Sequence, residues 1–193
     1  EPLTHFAVSL TSDQPMAFVD VPTLALSPDG RKLAFTVSGA AGQTMIHVRA
    51  FDQPETRPVP GTEGGSGPFF SPDGASLGFF ADRRLKTVSL AGGPAQNVAD
   101  APNGRGGLWA PDGSILFVPA YDTGLWRVSA AGGAAQPLVS PEKGKGERTF
   151  RWPVLLPGGR AVLFTVGSID SPNDYDKARL VAFSFATGER RVV

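Results

Sequence analysis

The chain has 193 residues, 18 basic against 18 acidic side chains, no cysteine and 41% apolar residues. That length suits one domain or several small repeats sharing a core. Zero formal net charge argues against a partner drawn mainly by phosphate charge, whether nucleic acid or anionic membrane, and the absence of thiols excludes disulfides and thiolate metal sites.

The first predicted element is a strand around Phe6–Leu10. No basic stretch leading into an apolar run precedes it, so no secretory signal is visible. From residue 22 onward the chain repeats itself. Ser27-Pro28-Asp29-Gly30 returns as Ser71-Pro72-Asp73-Gly74, as Ala110-Pro111-Asp112-Gly113 and, degraded, as Leu156-Pro157-Gly158-Gly159, with proline spacings of 44, 39 and 46 residues. Proline pre-sets the first corner, Asp tolerates the second and Gly takes the positive φ, so each tetrapeptide reads as a hairpin turn. Short apolar strands precede the turns: Thr23–Leu26, Phe69–Phe70, Leu108–Trp109 and Trp152–Leu155. Alternating strands follow them, each with an apolar-x-Phe triplet: Leu33-Ala34-Phe35, Leu77-Gly78-Phe79, Ile115-Leu116-Phe117 and Val162-Leu163-Phe164.

A second signature lies further along each repeat. Val88-Ser89-Leu90-Ala91-Gly92-Gly93 matches Val128-Ser129-Ala130-Ala131-Gly132-Gly133 and Phe183-Ser184-Phe185-Ala186-Thr187-Gly188, and Val48-Arg49-Ala50-Phe51-Asp52-Gln53 is the divergent copy. These glycines suit a tight turn from a third strand into a fourth, at Thr56–Val59, Gln96–Ala99, Gln136–Val139 and Glu189–Val193. A period of this size without helical patterning is that of a β-propeller blade. The expected fold is therefore all-β: four four-stranded antiparallel blades at about 22–62, 67–100, 106–140 and 150–193, plus the N-terminal strand, forming part of a larger propeller. Its apolar runs, such as Ala161–Val166, are strand-length, so no membrane insertion by this segment is expected.

These turns and hairpins resemble TolB-like, WD-repeat-like propeller repeats. More specifically, Phe69–Gly74, Gly124–Gly133, Lys145–Arg148 and Arg151–Gly159 are similar to the propeller that follows the kinase domain and membrane segment in many bacterial receptor-type serine/threonine kinases. That resemblance implies an extracytoplasmic sensor or interaction domain with no catalytic residues and no cofactor. The kinase's own motifs are absent: there is no His-Arg-Asp and no Asp-Phe-Gly. Two other readings stand beside it. One is an accessory propeller, of a prolyl-oligopeptidase-type peptidase or of a TolB-like envelope scaffold. The other is a propeller lyase or lactonase.

Propeller geometry puts both turn signatures on one face and the longer connections on the other, where binding residues gather. Those connections are Ser38–Thr44, Pro60–Gly67, Ala81–Arg84, Asp100–Gly107, Pro119–Gly124, Pro141–Arg151 and Gly167–Ala178. The candidate ligand contacts they hold are Glu63, Arg105, Tyr121, Asp122, Arg148 and Arg151, for an unidentified small molecule or protein. Six residues before the repeat prolines stand Pro22, Ser66, Arg105 and Arg151, at the expected channel mouth, where two arginines suit a carboxylate or phosphate. No metal site is expected: Asp170, Asp174 and Asp176 are only weak candidates, since their spacing is not that of an EF-hand, and the segment reads as a polar connection. His5 and His47 alone cannot make a metal centre, and Lys143-Gly144-Lys145-Gly146 reads as a solvated loop. Self-association through open blade edges is a further expectation.

Overall fold

The structure is a computed structural model that describes residues 15–17, 21–39, 41–172 and 174–193. The predicted strand at Phe6–Leu10 and His5 lie outside the described residues. Among the described residues, sixteen strands form four antiparallel sheets, each with its strands in chain order. The first blade comprises β1 (Leu24–Leu26), β2 (Lys32–Ser38), β3 (Thr44–Ala50) and β4 (Thr56–Pro58). The second comprises β5 (Ser66–Phe70), β6 (Ser76–Ala81), β7 (Arg84–Ser89) and β8 (Gln96–Asp100). The third holds β9 (Gly107–Trp109), β10 (Ser114–Phe117), β11 (Leu125–Ser129) and β12 (Gln136–Val139), and the fourth β13 (Glu147–Leu155), β14 (Ala161–Ser168), β15 (Arg179–Ser184) and β16 (Arg190–Val192). No helix among the described residues is long and apolar enough to cross a membrane.

The Ser-Pro-Asp-Gly turns are built by a hydroxyl and a carboxylate working together. The Ser27 hydroxyl donates to Asp29 Oδ1 at 2.5 Å and accepts the Lys32 N–H at 2.8 Å, while Asp29 accepts the Arg31 N–H at 3.1 Å. The second copy repeats this, with Ser71 on Asp73 at 2.5 Å and the Ala75 N–H on the same carboxylate at 3.0 Å. The third copy has alanine where the serine stood. Its hydroxyl comes instead from the other side of the turn, with Ser114 Oγ donating to Asp112 at 2.6 Å. In the degraded fourth copy the carboxylate is gone and both Gly158 and Gly159 take positive φ, at 85° and 68°. Glycine thus replaces the side-chain bracket with backbone freedom.

Both signatures keep phase because they meet at the same end of one ladder, where the second strand begins and the third ends. The pairing of the second and third strands runs one residue beyond the strands into both turns. Phe51 N–H reaches Arg31 O at 2.9 Å, Leu90 reaches Ala75 at 2.9 Å, Ala130 reaches Gly113 at 3.0 Å and Phe185 reaches Arg160 at 3.0 Å. Between the first two blades, Lys32 Nζ donates to Gly74 O at 3.0 Å and ties neighbouring corners together.

The core lies between the blades. Phe79 packs in a cluster with Ala34, Ile46 and Val59 of the first blade. Phe117 joins Leu85 and Val98 of the second, and Phe164 joins Leu116, Val118 and Leu125 of the third. Each repeat phenylalanine is therefore buried against the blade before it. Phe35 occupies the same place in the first blade, buried with its ring centroid 6.1 Å from that of His47. Beyond β1, residues Pro15–Ala17 continue alongside β2 through the Met16–Val37 bridge and the Ala17 N–H on Thr36 O at 3.0 Å.

The inner strand of the fourth blade corrects an expectation. It starts at Glu147 rather than near Trp152, so Arg148 and Arg151 stand on β13 instead of in a loop. Strand pairing survives because the register slips between Arg151 and Val154, letting β13 bend without breaking.

Two expected outcomes follow from the turns and the core. Hydrogen bonds from the Ser27 and Ser71 hydroxyls, then from backbone N–H groups, hold Asp29 and Asp73 below the usual carboxylate value, and Ser114 does the same for Asp112. A depressed carboxylate stabilises the fold above its unfolded pKa, and that contribution is lost as pH falls through the folded value. On acidification below about pH 4 the wild-type chain should lose stability more steeply than an Asp29→Asn/Asp73→Asn/Asp112→Asn variant, read by denaturant titration across pH. By the same method Leu125→Ala, at a fully buried site, should destabilise by about 3 kcal/mol, and Leu180→Ala, at a half-exposed one, by less than about 1 kcal/mol.

Candidate functional site

The connections opposite the two turn signatures are shaped by a repeated backbone feature. Five residues before the turn proline, three blades place a residue with positive φ: Gly67 at 61°, Gly106 at 111° and Trp152 at 51°. In β5 and β13 it coincides with a register shift, between Ser66 and Phe69 and between Arg151 and Val154. A bulge there re-aims the residue just before it, Ser66 in β5 and Arg151 in β13. Glycine accepts this conformation freely, whereas for tryptophan it is strained by about 1–2 kcal/mol. The inner strands of the last two blades also close on each other here. Trp152 N–H donates to Arg105 O at 3.1 Å, and a Cβ on Gly106 would stand 3.1 Å from Trp152 Cα, so glycine is required for the approach.

Two groups of predicted residues come together around β13. Arg151 is buried with its guanidinium carbon 4.9 Å from the centre of the Tyr175 ring, and the Trp152 ring lies 5.2 Å from the same ring. The Tyr175 hydroxyl is buried with no hydrogen-bond partner among the described residues. Further out, Arg148 sits 5.8 Å from the centre of the half-exposed Tyr121 ring, with Asp122 exposed beside it. The Tyr121 loop is pinned to β13 by the Phe150 N–H on Thr123 O at 3.1 Å.

Arg105 lines a separate cavity of about 230 Å³ with Ser66, Arg83 and Asn103, and among the described residues no carboxylate lines it. Glu63 stays outside that cavity. It is exposed, and its Oε1 accepts the Gly61 N–H at 3.2 Å within its own turn.

The three aspartates are not gathered as a metal site. Asp174 accepts the Asp176 N–H at 2.8 Å in a local turn, and the Asp170 N–H is taken by Ser168 Oγ at 3.1 Å. Among the described residues no group of three or more His, Asp or Glu side chains could hold a metal ion. Neighbouring acidic residues in a loop repel, and here local hydrogen bonds settle them separately.

Sequence reasoning missed one charged cluster. Glu147, almost fully buried, accepts from Arg190 at 2.8 Å, from Arg179 at 3.3 Å and from the Glu142 N–H at 2.8 Å. Arg190 also pairs with Glu142 and lies 5.8 Å from the centre of the Phe150 ring. Burial pushes the Glu147 carboxyl up, and the charge of Arg179 pulls it back. This network joins the crossover from the third blade to the outer strands of the fourth. Its partners are 32 and 43 residues apart in sequence, so no local pattern announces it.

No family model matches the sequence. An uncharacterised peptidase of Bacillus subtilis, YuxL, is 32% identical over 121 residues, spanning 56% of this chain and 18% of that protein. Among solved structures, a TolB from Agrobacterium tumefaciens superposes with a TM-score of 0.74 at 17% identity, covering 88% of this chain and 63% of that one. TolB from Acinetobacter baumannii gives 0.69 at 16% identity, covering 95% and 44%. The propeller domain of the trilobed protease from Pyrococcus furiosus gives 0.55 at 14%, covering 90% and 56%. The chain thus spans less than a fifth of its curated relative and under two thirds of these structures. At such identities the likeness is one of fold: a TolB-like propeller scaffold, which peptidases also carry.

Two substitutions probe this region. Glycine ordinarily costs more than alanine, but at a left-handed position the order reverses. Trp152→Gly should therefore be more stable than Trp152→Ala by about 1 kcal/mol in denaturant unfolding. Glu147→Ala should destabilise the chain by about 2 kcal/mol in denaturant unfolding, because the half-buried Arg190 loses one of its two carboxylate partners and the Glu142 N–H loses its acceptor.

Proposed function

We propose that this chain is a non-catalytic binding propeller and forms the extracytoplasmic sensor part of a bacterial membrane serine/threonine kinase. The observation that carries the binding reading is the inequality of the two faces. One face is closed by short hairpins locked to each other through the strand ladder. The other carries arginine–aromatic pairs, Arg148 with Tyr121 and Arg151 with Tyr175, each joining a β13 arginine to a loop tyrosine. Such amphipathic, pre-organised side chains suit recognition of a small molecule or a protein segment. The contact residues we assign are Arg105, Arg148, Arg151, Tyr121, Asp122 and Glu63, with Arg148 and Tyr121 outermost. Support for the kinase link comes from the stretches Phe69–Gly74, Gly124–Gly133, Lys145–Arg148 and Arg151–Gly159, whose residues resemble those of kinase-linked propellers.

A second reading has its own support. The match to the B. subtilis peptidase favours an accessory propeller that screens access to a hydrolase.

The full-length parent protein separates the two. The sensor reading predicts ATP-dependent serine/threonine autophosphorylation by the parent, with a rate that changes when Tyr121→Ala and Arg148→Ala are introduced together. The 193-residue chain alone should transform neither ATP nor peptide amides. Hydrolysis of an aminoacyl anilide by the parent, with no phosphorylation, would replace the sensor by the gate.

A further inference from the structure

The fourth blade carries a finished interface with nothing against it among the described residues. In every blade, one third-strand residue stands opposite the residue that follows the repeat phenylalanine. Ile46 pairs with Thr36, Leu85 with Phe80 and Leu180 with Thr165, while Leu125 lies one step beyond the Phe117–Trp126 pair. Ile46, Leu85 and Leu125 are 0% exposed, because each meets the phenylalanine-bearing strand of the next blade, whereas Leu180 is 48% exposed.

The inner strands repeat the contrast. Three residues before the turn proline, Phe69 and Leu108 are 7% and 8% exposed but Val154 is 56% exposed. Val154, Leu163 and Ala182 form one cross-strand row, and Leu180 stands beside it with its carbonyl accepting the Val193 N–H at 3.0 Å. The row is apolar and continuous, and among the described residues only Arg191, paired with Ala182, brings charge to it. A sheet face of this kind left bare is an association site, because its apolar area gains by leaving water.

We propose that this face receives a further blade of the same repeat, carried by the parent polypeptide. The incoming second strand would be an apolar-x-Phe strand whose phenylalanine sits over Leu163 and Leu180. Continuity decides the occupant: three successive interfaces in this chain use that socket and that phenylalanine. Head-to-tail docking of a second copy is disfavoured by the first blade. The phenylalanine it would have to offer, Phe35, is 1% exposed and already packed away with Val37. The inference rests on the propeller fold alone, so a parent without kinase activity would leave it standing.

The chain has no cysteine, so single thiols report cleanly. Leu180→Cys and Val154→Cys alter exposed positions and leave the buried core untouched. In the 193-residue chain both thiols should react with a maleimide at the rate of an exposed thiol, and in the full-length parent at least about 100-fold more slowly. A photo-cross-linking residue at position 180 of the parent should attach to an apolar-x-Phe strand of the same polypeptide. Equal reactivity in both proteins would overturn the proposal. So would protection in the 193-residue chain accompanied by doubled solution mass, or a cross-link to a second copy or another protein.

Discussion

The fold depends on one contact made three times: a phenylalanine from the second strand of one blade pressed into the sheet of the blade before it. Phe79, Phe117 and Phe164 are each essentially inaccessible to solvent, and each belongs to a cluster that spans two blades. A single four-stranded sheet of this size has no core of its own. Its two faces become an interior only when neighbours cover them, so the blades are stable collectively rather than singly. Aromatic side chains serve this role well because they bury large area with few rotors to freeze.

Everything else in the repeat serves to present that phenylalanine at the right height. The turn with its hydroxyl–carboxylate bracket fixes where the second strand begins. The hairpin beside it, at the same end of the ladder, fixes where the third strand ends, so the register of the central pair is set from that end. Fixing one end this firmly leaves variation to the other end. The inner strands carry Gly67, Gly106 and Trp152 in left-handed conformations just after Ser66, Arg105 and Arg151, with register shifts in β5 and β13. The fourth blade holds a strained tryptophan where two sister blades use glycine.

How much of this is legible in the residues alone follows from the range of the interactions. Turns at Pro28, Pro72, Pro111 and Pro157 are local, so the tetrapeptides announce them, and the apolar-x-Phe triplets announce the buried face two residues at a time. The transfer of the turn hydroxyl from Ser71 to Ser114 is also written in the sequence, but it becomes meaningful only once both are seen on a carboxylate. The start of β13 falls earlier than expected because Gly146 and the proline after Trp152 look like loop punctuation. The strand begins directly after Gly146, and a register shift between Arg151 and Val154 carries it past the proline. The pairing of Arg148 with Tyr121 depends on adjacent blades, and the Glu147–Arg190 bridge on the first and last strands of one blade. No spacing rule reaches that far. The aspartates of the 170–176 loop show the converse: a composition rich in carboxylates forms no group that could hold a metal ion among the described residues.

A double-mutant cycle on Phe79→Ala and Ile46→Ala, from neighbouring blades, tests the stacking contact most directly. Equilibrium unfolding of the wild type, both single variants and the pair should give a coupling energy of about 1 kcal/mol or more, as expected for side chains in one cluster. Additivity within about 0.3 kcal/mol would mean that the two blades do not share a core, which contradicts a fold held together by phenylalanines seated between blades.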